Sequence, residues 1–326
     1  GRTVVDRRYH YDPTGNLNRR VDANKGTTVF TYDPMGRVVE HLDPAGKLRK
    51  FLYDPAGDLL QSRNEQRGDD GSRTSEYDGT VYRFDAVGNL VERSGERGQM
   101  AFEWDGNNRL TAAENGDGLR ANMGYDPQGR RVFKQSGDHR TDFCWDGDYL
   151  LSDCVGDNGV REFIFYPDTF EPLAMVDKDG KIYYFENDQV GLPHEVCDAT
   201  GNLVWSAQYG AFGAVEQLDV HEIDNPIRLQ GQYWDEEIGL CYNRHRYFNS
   251  DVGCFVSIDP LGIDVGENVY LYSPNPFRWI DPFGLSCRSA ISGKRGVNKA
   301  LHDLDKNGFT VVSEEVTMRV NGSRIR

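Results

Sequence analysis

The sequence predicts an all-β chain assembled from consecutive hairpins. Three observations carry this. An aromatic residue followed by Asp recurs at Tyr11, Tyr32, Tyr53, Phe84, Trp104, Tyr125 and Trp145, with steps of 21, 21, 31, 20, 21 and 20 residues. Turn chemistry returns about every ten residues, and no apolar pattern of helical period occurs before about residue 293. Self-similarity at such a period marks a repeat array whose units bury their faces on one another.

Each unit reads as strand, turn, strand. Val29, Phe30, Thr31 and Tyr32 are β-formers, as are Val38 and Val39. Between them stands Asp33-Pro34-Met35-Gly36. Asp at the first turn position, Pro fixing φ at the second and Gly at the fourth make a type I turn. A weaker half-unit turn follows at Asp43-Pro44-Ala45-Gly46, and the longer step of 31 is expected to hold an exposed polar loop at 63–75. The repeated Tyr and Trp side chains are read as ladders that stabilise neighbouring strands rather than as a sugar-binding platform.

Composition narrows the function classes. The 326 residues carry 12% aromatics, too many for a disordered acidic chain. No run of about 18 apolar residues is present, so no membrane span is expected. Six Cys lie at 144, 154, 197, 241, 254 and 287 without CxxC or Cys/His pairing, which reads as reduced, mostly buried thiols. No cofactor or metal site is expected, because the acidic clusters lack calcium-loop spacing. The net charge of −15 argues against nucleic-acid binding by the whole chain. That charge is uneven: residues 1–285 carry −19 and residues 286–326 carry +4.

Units such as Tyr11-Asp12-Pro13-Thr14-Gly15-Asn16-Leu17 resemble the tyrosine-aspartate (YD) repeats of the Rhs polymorphic toxins. The second half resembles the same family block by block, in family order. The blocks are 183–193 (Tyr183, Tyr184, Asp188, Gly191, Pro193), 204–213 (Trp205, Tyr209, Phe212, Gly213), 227–235, 239–248, Asp259-Pro260-Leu261-Gly262, Asn275-Pro276 and Asp281-Pro282-Phe283-Gly284-Leu285. Cys241 and Cys254 depart from the usual His and Arg. The resemblance implies a spiral β-sheet forming part of a hollow shell, or cocoon, around a C-terminal toxin. It further implies aspartic-protease-like self-cleavage between Leu285 and Ser286, with Asp259, Asp281 and a helper Arg246 as the catalytic residues.

The chemistry has its own logic. Two carboxylates held close share one proton; the charged one can take a proton from water while the protonated one polarises a carbonyl. A neighbouring Arg can tune the pair or hold an oxyanion. Spacing alone does not single out these two Asp, since Asp-Pro-x-Gly also begins at Asp12, Asp33, Asp43, Asp54 and Asp126. The alternating run 242–247 would put Arg244 and Arg246 on one strand face, and Arg246 is chosen by motif position. His245, between two Arg, reads as structural, and Cys287 lacks a partner His for thiol catalysis.

Past Leu285 the pattern changes to a small α+β piece. Val297, Ala300, Leu301 and Leu304 have helical spacing, and Asn321-Gly322 is a two-residue hairpin turn. This order resembles the opening of restriction-endonuclease-like toxins, whose catalytic residues would fall beyond residue 326. The expected organisation is therefore a YD-repeat shell at 1–182, the conserved core end with autoprotease and plug at 183–285, and the start of a toxin at 286–326. Expected partners are the enclosed toxin, an upstream secretion-adaptor region, an immunity protein and a nucleic-acid target of the full toxin. The implied route runs from the bacterial cytoplasm by type VI secretion into a target cell. The competing reading is a non-cleaving cell-surface scaffold made of the same repeats.

Overall fold

A computed structural model describes residues 5–53, 59, 66–68, 70–156, 159–262, 268–285, 288–289, 318–320 and 323–325. Every strand pairs antiparallel with a sequence neighbour. Five strands from Arg7–Tyr11 to Leu48–Lys50 form the first sheet, and sixteen from Gln66–Arg67 to Val215–His221 form the second. Both are meanders in which one hairpin leads directly into the next. The expected loop at 63–75 instead contains the strand Gln66–Arg67 and the start of Arg73–Tyr77. The tight turn that joins them is closed by Gly68 N–H donating to Ser72 O. The described part of the longer step thus adds sheet, and residues 63–65 and 69 of the expected loop lie outside the described residues. The strand Ile182–Asn187 straddles the expected boundary at 182/183, and the sheet runs on to His221 before the architecture changes.

The repeat has a fixed wiring. In Asp12, Asp33 and Asp105 the Oδ1 atom accepts the N–H groups two and four residues on, at 2.9–3.0 Å. The turn glycines Gly15, Gly36 and Gly129 have φ of 83°, 81° and 76°, where a side chain would be strained. In most units the aromatic before the Asp turns its polar tip onto the preceding unit. Tyr32 donates to Leu17 O, Tyr125 to Leu110 O, Trp104 to Leu90 O and Trp145 to Arg131 O, each at 2.7 Å. The ladder is therefore knitted by aromatic-to-carbonyl hydrogen bonds. Arg37 and Arg109 lie over the faces of Tyr53 and Tyr125.

The described segments of residues 225–285 form an end block packed against the large sheet. Its four-stranded sheet runs Tyr233–Asp235, Leu240–Asn243, Arg246–Asn249 and Cys254–Phe255. Phe143, Phe163, Val196 and Trp205 of the large sheet share one core with Tyr233, Phe248, Phe255 and Ile280. Leu90, Leu110 and Met123 share another with Leu240, Tyr242 and Tyr247. A buried polar strut crosses the second core. Arg131, fully buried, pairs with Asp235, donates to Tyr247 Oη at 3.1 Å and lies over the rings of Phe143 and Tyr242.

Past residue 285, Arg288–Ser289 pairs with Trp279–Ile280, and Met318–Val320 pairs with Ser323–Ile325 across the expected Asn-Gly turn. The expected helix around 297–304 lies outside the described residues, as does Cys287. Among the described cysteines Cys197 and Cys241 are buried and Cys144 is exposed. Cys144, Cys154, Cys197 and Cys241 are free thiols, less uniformly buried than expected. No described helix is long and apolar enough to cross a membrane.

Candidate active site

Arg244 and Arg246 do not share a strand face. Residues 244 and 245 form the two-residue turn of a hairpin whose closing pair is Asn243 and Arg246, and Arg244 adopts a φ of 57°. The turn breaks the alternation and sends the two guanidinium groups apart. Arg244 reaches outward to Asp148 Oδ1 at 2.7 Å and Gln128 O at 3.1 Å. Arg246 points into the end block, where it is 2% exposed. The turn also accounts for His245: burial, then Arg244, pull its imidazole down to about 4.

Arg246 is where the site assembles. Its Nη2 lies 2.7 Å from Asp259 Oδ2 and 3.6 Å from Asp281 Oδ2. The same nitrogen donates to Leu285 O at 3.5 Å, while Nε donates to Gly284 O at 2.5 Å and Nη1 to Val269 O at 2.9 Å. The guanidinium lies over the Phe255 ring, 3.6 Å from its centroid. Two carboxylates 22 residues apart thus flank one nitrogen that also meets the carbonyl of Leu285. Ser286 lies outside the described residues.

Local turns hold both carboxylates. Asp259 Oδ1 accepts the N–H of Leu261 at 2.8 Å, and Asp281 Oδ1 accepts that of Leu285 at 3.1 Å. This is the wiring of the repeat turns, moved to the interior. Asp281 is 0% and Asp259 2% exposed. Burial raises both carboxyls, that of Asp281 to about 6, against the hydrogen bond from Leu285 and the charge of Arg246. Burial also pulls Arg246 down to about 10. Asp281 Oδ2 is buried and accepts no hydrogen bond. It is therefore the atom suited to carry a proton, while Asp259 makes the closer pair with Arg246.

Three further residues shape the site: Tyr272, outside every sequence block named above, and Asn243 and Gly284, which lie inside such blocks without an expected role. Tyr272 Oη accepts the Asp281 N–H at 3.3 Å. Asn243 Nδ2 donates to Asp281 O at 2.8 Å. Gly284, at φ 65°, passes so close to Asn243 O that a Cβ would collide. Among the described residues no cluster of His, Cys, Asp and Glu could hold a metal. A cavity of about 350 Å³ shares the walls Phe255 and Tyr272 with the site, but none of its three charged residues lines it.

The family model described as Teneurin YD-shell matches residues 2–271. Double-stranded DNA deaminase toxin A of Burkholderia cenocepacia is 34% identical over 325 residues, covering 87% of this chain and 23% of that protein. Probable deoxyribonuclease RhsA of Dickeya dadantii is 32% identical, covering 69% of this chain and 17% of that protein. Toxin protein Tse5 of Pseudomonas aeruginosa is 31% identical, covering 71% and 21%. The chain thus spans less than a quarter of the length of these relatives. Among solved structures, the crystal structure of TcdB2-TccC3-Cdc42 superposes with a TM-score of 0.64 at 17% identity, covering 86% of this chain and 17% of that one. That likeness shows the shell fold. The chain belongs to the Teneurin YD-shell family and, within it, to the Rhs/YD-repeat polymorphic toxins.

Proposed function

We propose that this shell segment cuts its own backbone between Leu285 and Ser286, freeing a toxin that begins at Ser286. The observation that carries the reading is the single Arg246 nitrogen that meets Asp259, Asp281 and the Leu285 carbonyl. Asp259, ionised, takes a proton from water, and the resulting hydroxide bonds to the Leu285 carbonyl carbon. Asp281, protonated at Oδ2, polarises that carbonyl, and Arg246 stabilises the oxyanion. Collapse breaks the C–N bond; the Ser286 nitrogen takes the proton and leaves as an amine, and Leu285 leaves as a carboxylate.

Around this step stands the wider reading. The shell encloses the toxin in the producing bacterium and delivers it into a competing cell, by a type VI route. A cognate immunity protein protects the producer. Relatives named as a deoxyribonuclease and a DNA deaminase toxin support nucleic acid as the target. The +4 charge of residues 286–326 suits such a target.

Denaturing intact-mass spectrometry tests the cut. The wild-type chain should give two masses that divide at 285/286, and Asp259→Asn and Asp281→Asn should each give one. A wild-type chain that stays whole overturns the proposal and favours the non-cleaving scaffold.

A further inference from the structure

The loop carrying the scissile bond is gripped at both ends by one hairpin. Asn243 and Arg246 are the closing pair of its two-residue turn. Arg246 holds the far end of the loop through Gly284 O and Leu285 O. Asn243 holds the near end through Asp281 O at 2.8 Å. The Asp281 peptide is thereby clamped on both sides, because its N–H donates to Tyr272 Oη. Its carboxylate has little freedom to move unless one clamp opens.

Asn243 is one of several buried amides with an end that lacks a partner, and its other end, Nδ2, grips the loop of Asp281. It is 0% exposed, and its Oδ1 is buried and accepts no hydrogen bond. Leaving one end of a buried amide unsatisfied opposes folding, so what the polarity of this side chain contributes is the Nδ2 bond to Asp281 O. Its backbone adds a second constraint: Asn243 O sits where a side chain at Gly284 would have to go. Donor, hairpin and glycine together fix where Asp281 and the Leu285 carbonyl stand relative to Arg246.

We propose that Asn243 is a positioning residue for self-cleavage, holding the Asp281 carboxylate dry and aligned with the Leu285 carbonyl. This rests on the self-cleavage reading. Asn243→Ala opens the clamp. Cleavage should slow about 10²-fold, the usual cost of misplacing a reacting group by about 1 Å. With the loop loosened, water reaches Asp281, so the pH at which cleavage fails on the alkaline side should move down.

The test follows full-length chains pulse-labelled in cell-free synthesis and transferred to buffers from pH 5 to 8. Cleavage is read on denaturing gels, and thermal unfolding is measured for each variant. Asn243→Asp is the discriminating change. It keeps the shape, and it can donate to Asp281 O only when protonated, so it should cut at the acid end alone. An Asn243→Ala chain that cuts at the wild-type rate overturns the assignment. So does a slowed one whose alkaline limb stays in place while Asn243→Asp matches it at every pH. A wild-type chain that does not cut at any pH sinks the self-cleavage reading instead.

Discussion

Asp281 Oδ1 accepts the N–H of Leu285 at 3.1 Å, tying a titrating carboxylate to the residue whose carbonyl faces Arg246. The same bond, from Asp to the fourth residue on, closes the surface turns at Asp33 and Asp126 at 2.9 Å. There Oδ2 is engaged by the side chain at that position, Arg37 or Arg130, each at 2.7 Å. Leu285 offers only its backbone. The turn is kept, but Oδ2 is left for a distant partner, and that partner is Arg246. In this copy the repeated structural turn lacks the local counter-ion of Asp33 and Asp126, which frees Asp281 for the chemistry proposed above.

The first expectation is a pH profile for cleavage with an alkaline limb near 6. Asp281 titrates at about 6 because burial penalises its charged form. Below that pH one proton is available to the pair. Above it both carboxylates are ionised and the polarising proton is gone, so the rate should fall about tenfold per pH unit. Pulse-labelled wild-type chain transferred to buffers between pH 5 and 8 gives the profile. A rate that is flat across pH 6 removes Asp281 as the proton carrier.

The same shift acts on stability. An unfolded chain releases the Asp281 proton near 3.8, the folded chain near 6. Between those values the native state holds a proton that the unfolded state has lost, so stability falls as pH rises through the window. Above it the deficit is constant, at about 3 kcal/mol for a shift of this size. Uncut chains are needed for the comparison. Asp259→Asn, which keeps Asp281 but removes the Asp259 charge that helps raise it, should lose stability between pH 4 and pH 7 relative to the Asp259→Asn, Asp281→Asn double variant. Urea unfolding of both chains at both pH values decides this; an identical pH dependence contradicts the buried, raised carboxyl.

The hairpin array was legible because its signals are local. Asp, Pro and Gly within four residues dictate a turn whatever surrounds it, which is why the turns at Asp12, Asp33, Asp43 and Asp126 all form. The residue four places after each Asp also separates the two site aspartates from the rest. It is Asn16, Arg37, Lys47, Asp58 and Arg130 in the repeats, but Ile263 and Leu285 after Asp259 and Asp281. The choice between Arg244 and Arg246 was less accessible, because it depends on a reversal at 244–245 that lacks the usual Asn-Gly signal. Asn243 and Tyr272 were hidden for another reason. They act on Asp281 across 38 and 9 residues, through backbone atoms that leave no motif.

The aromatic ladder makes the last prediction. Tyr125 Oη donates to Leu110 O at 2.7 Å and lies 3.3 Å from Tyr247 Oη, so it joins its own repeat to the preceding one and to the end block. Tyr125→Phe preserves the ring beneath Arg109 but leaves a buried carbonyl without its donor. The loss should be about 1–3 kcal/mol, the cost of an orphaned buried acceptor. Tyr184→Phe is the control, since that side chain is 43% exposed and water replaces its hydroxyl partner. Phe84 shows why the distinction matters. It occupies the same repeat position without a hydroxyl and is held by ring packing on Tyr270 and by Arg73 across its face. A Phe is tolerated where packing and a stacked cation secure it. If urea unfolding finds Tyr125→Phe no less stable than Tyr184→Phe, ring packing alone holds the array together and the tip-to-carbonyl bonds add nothing.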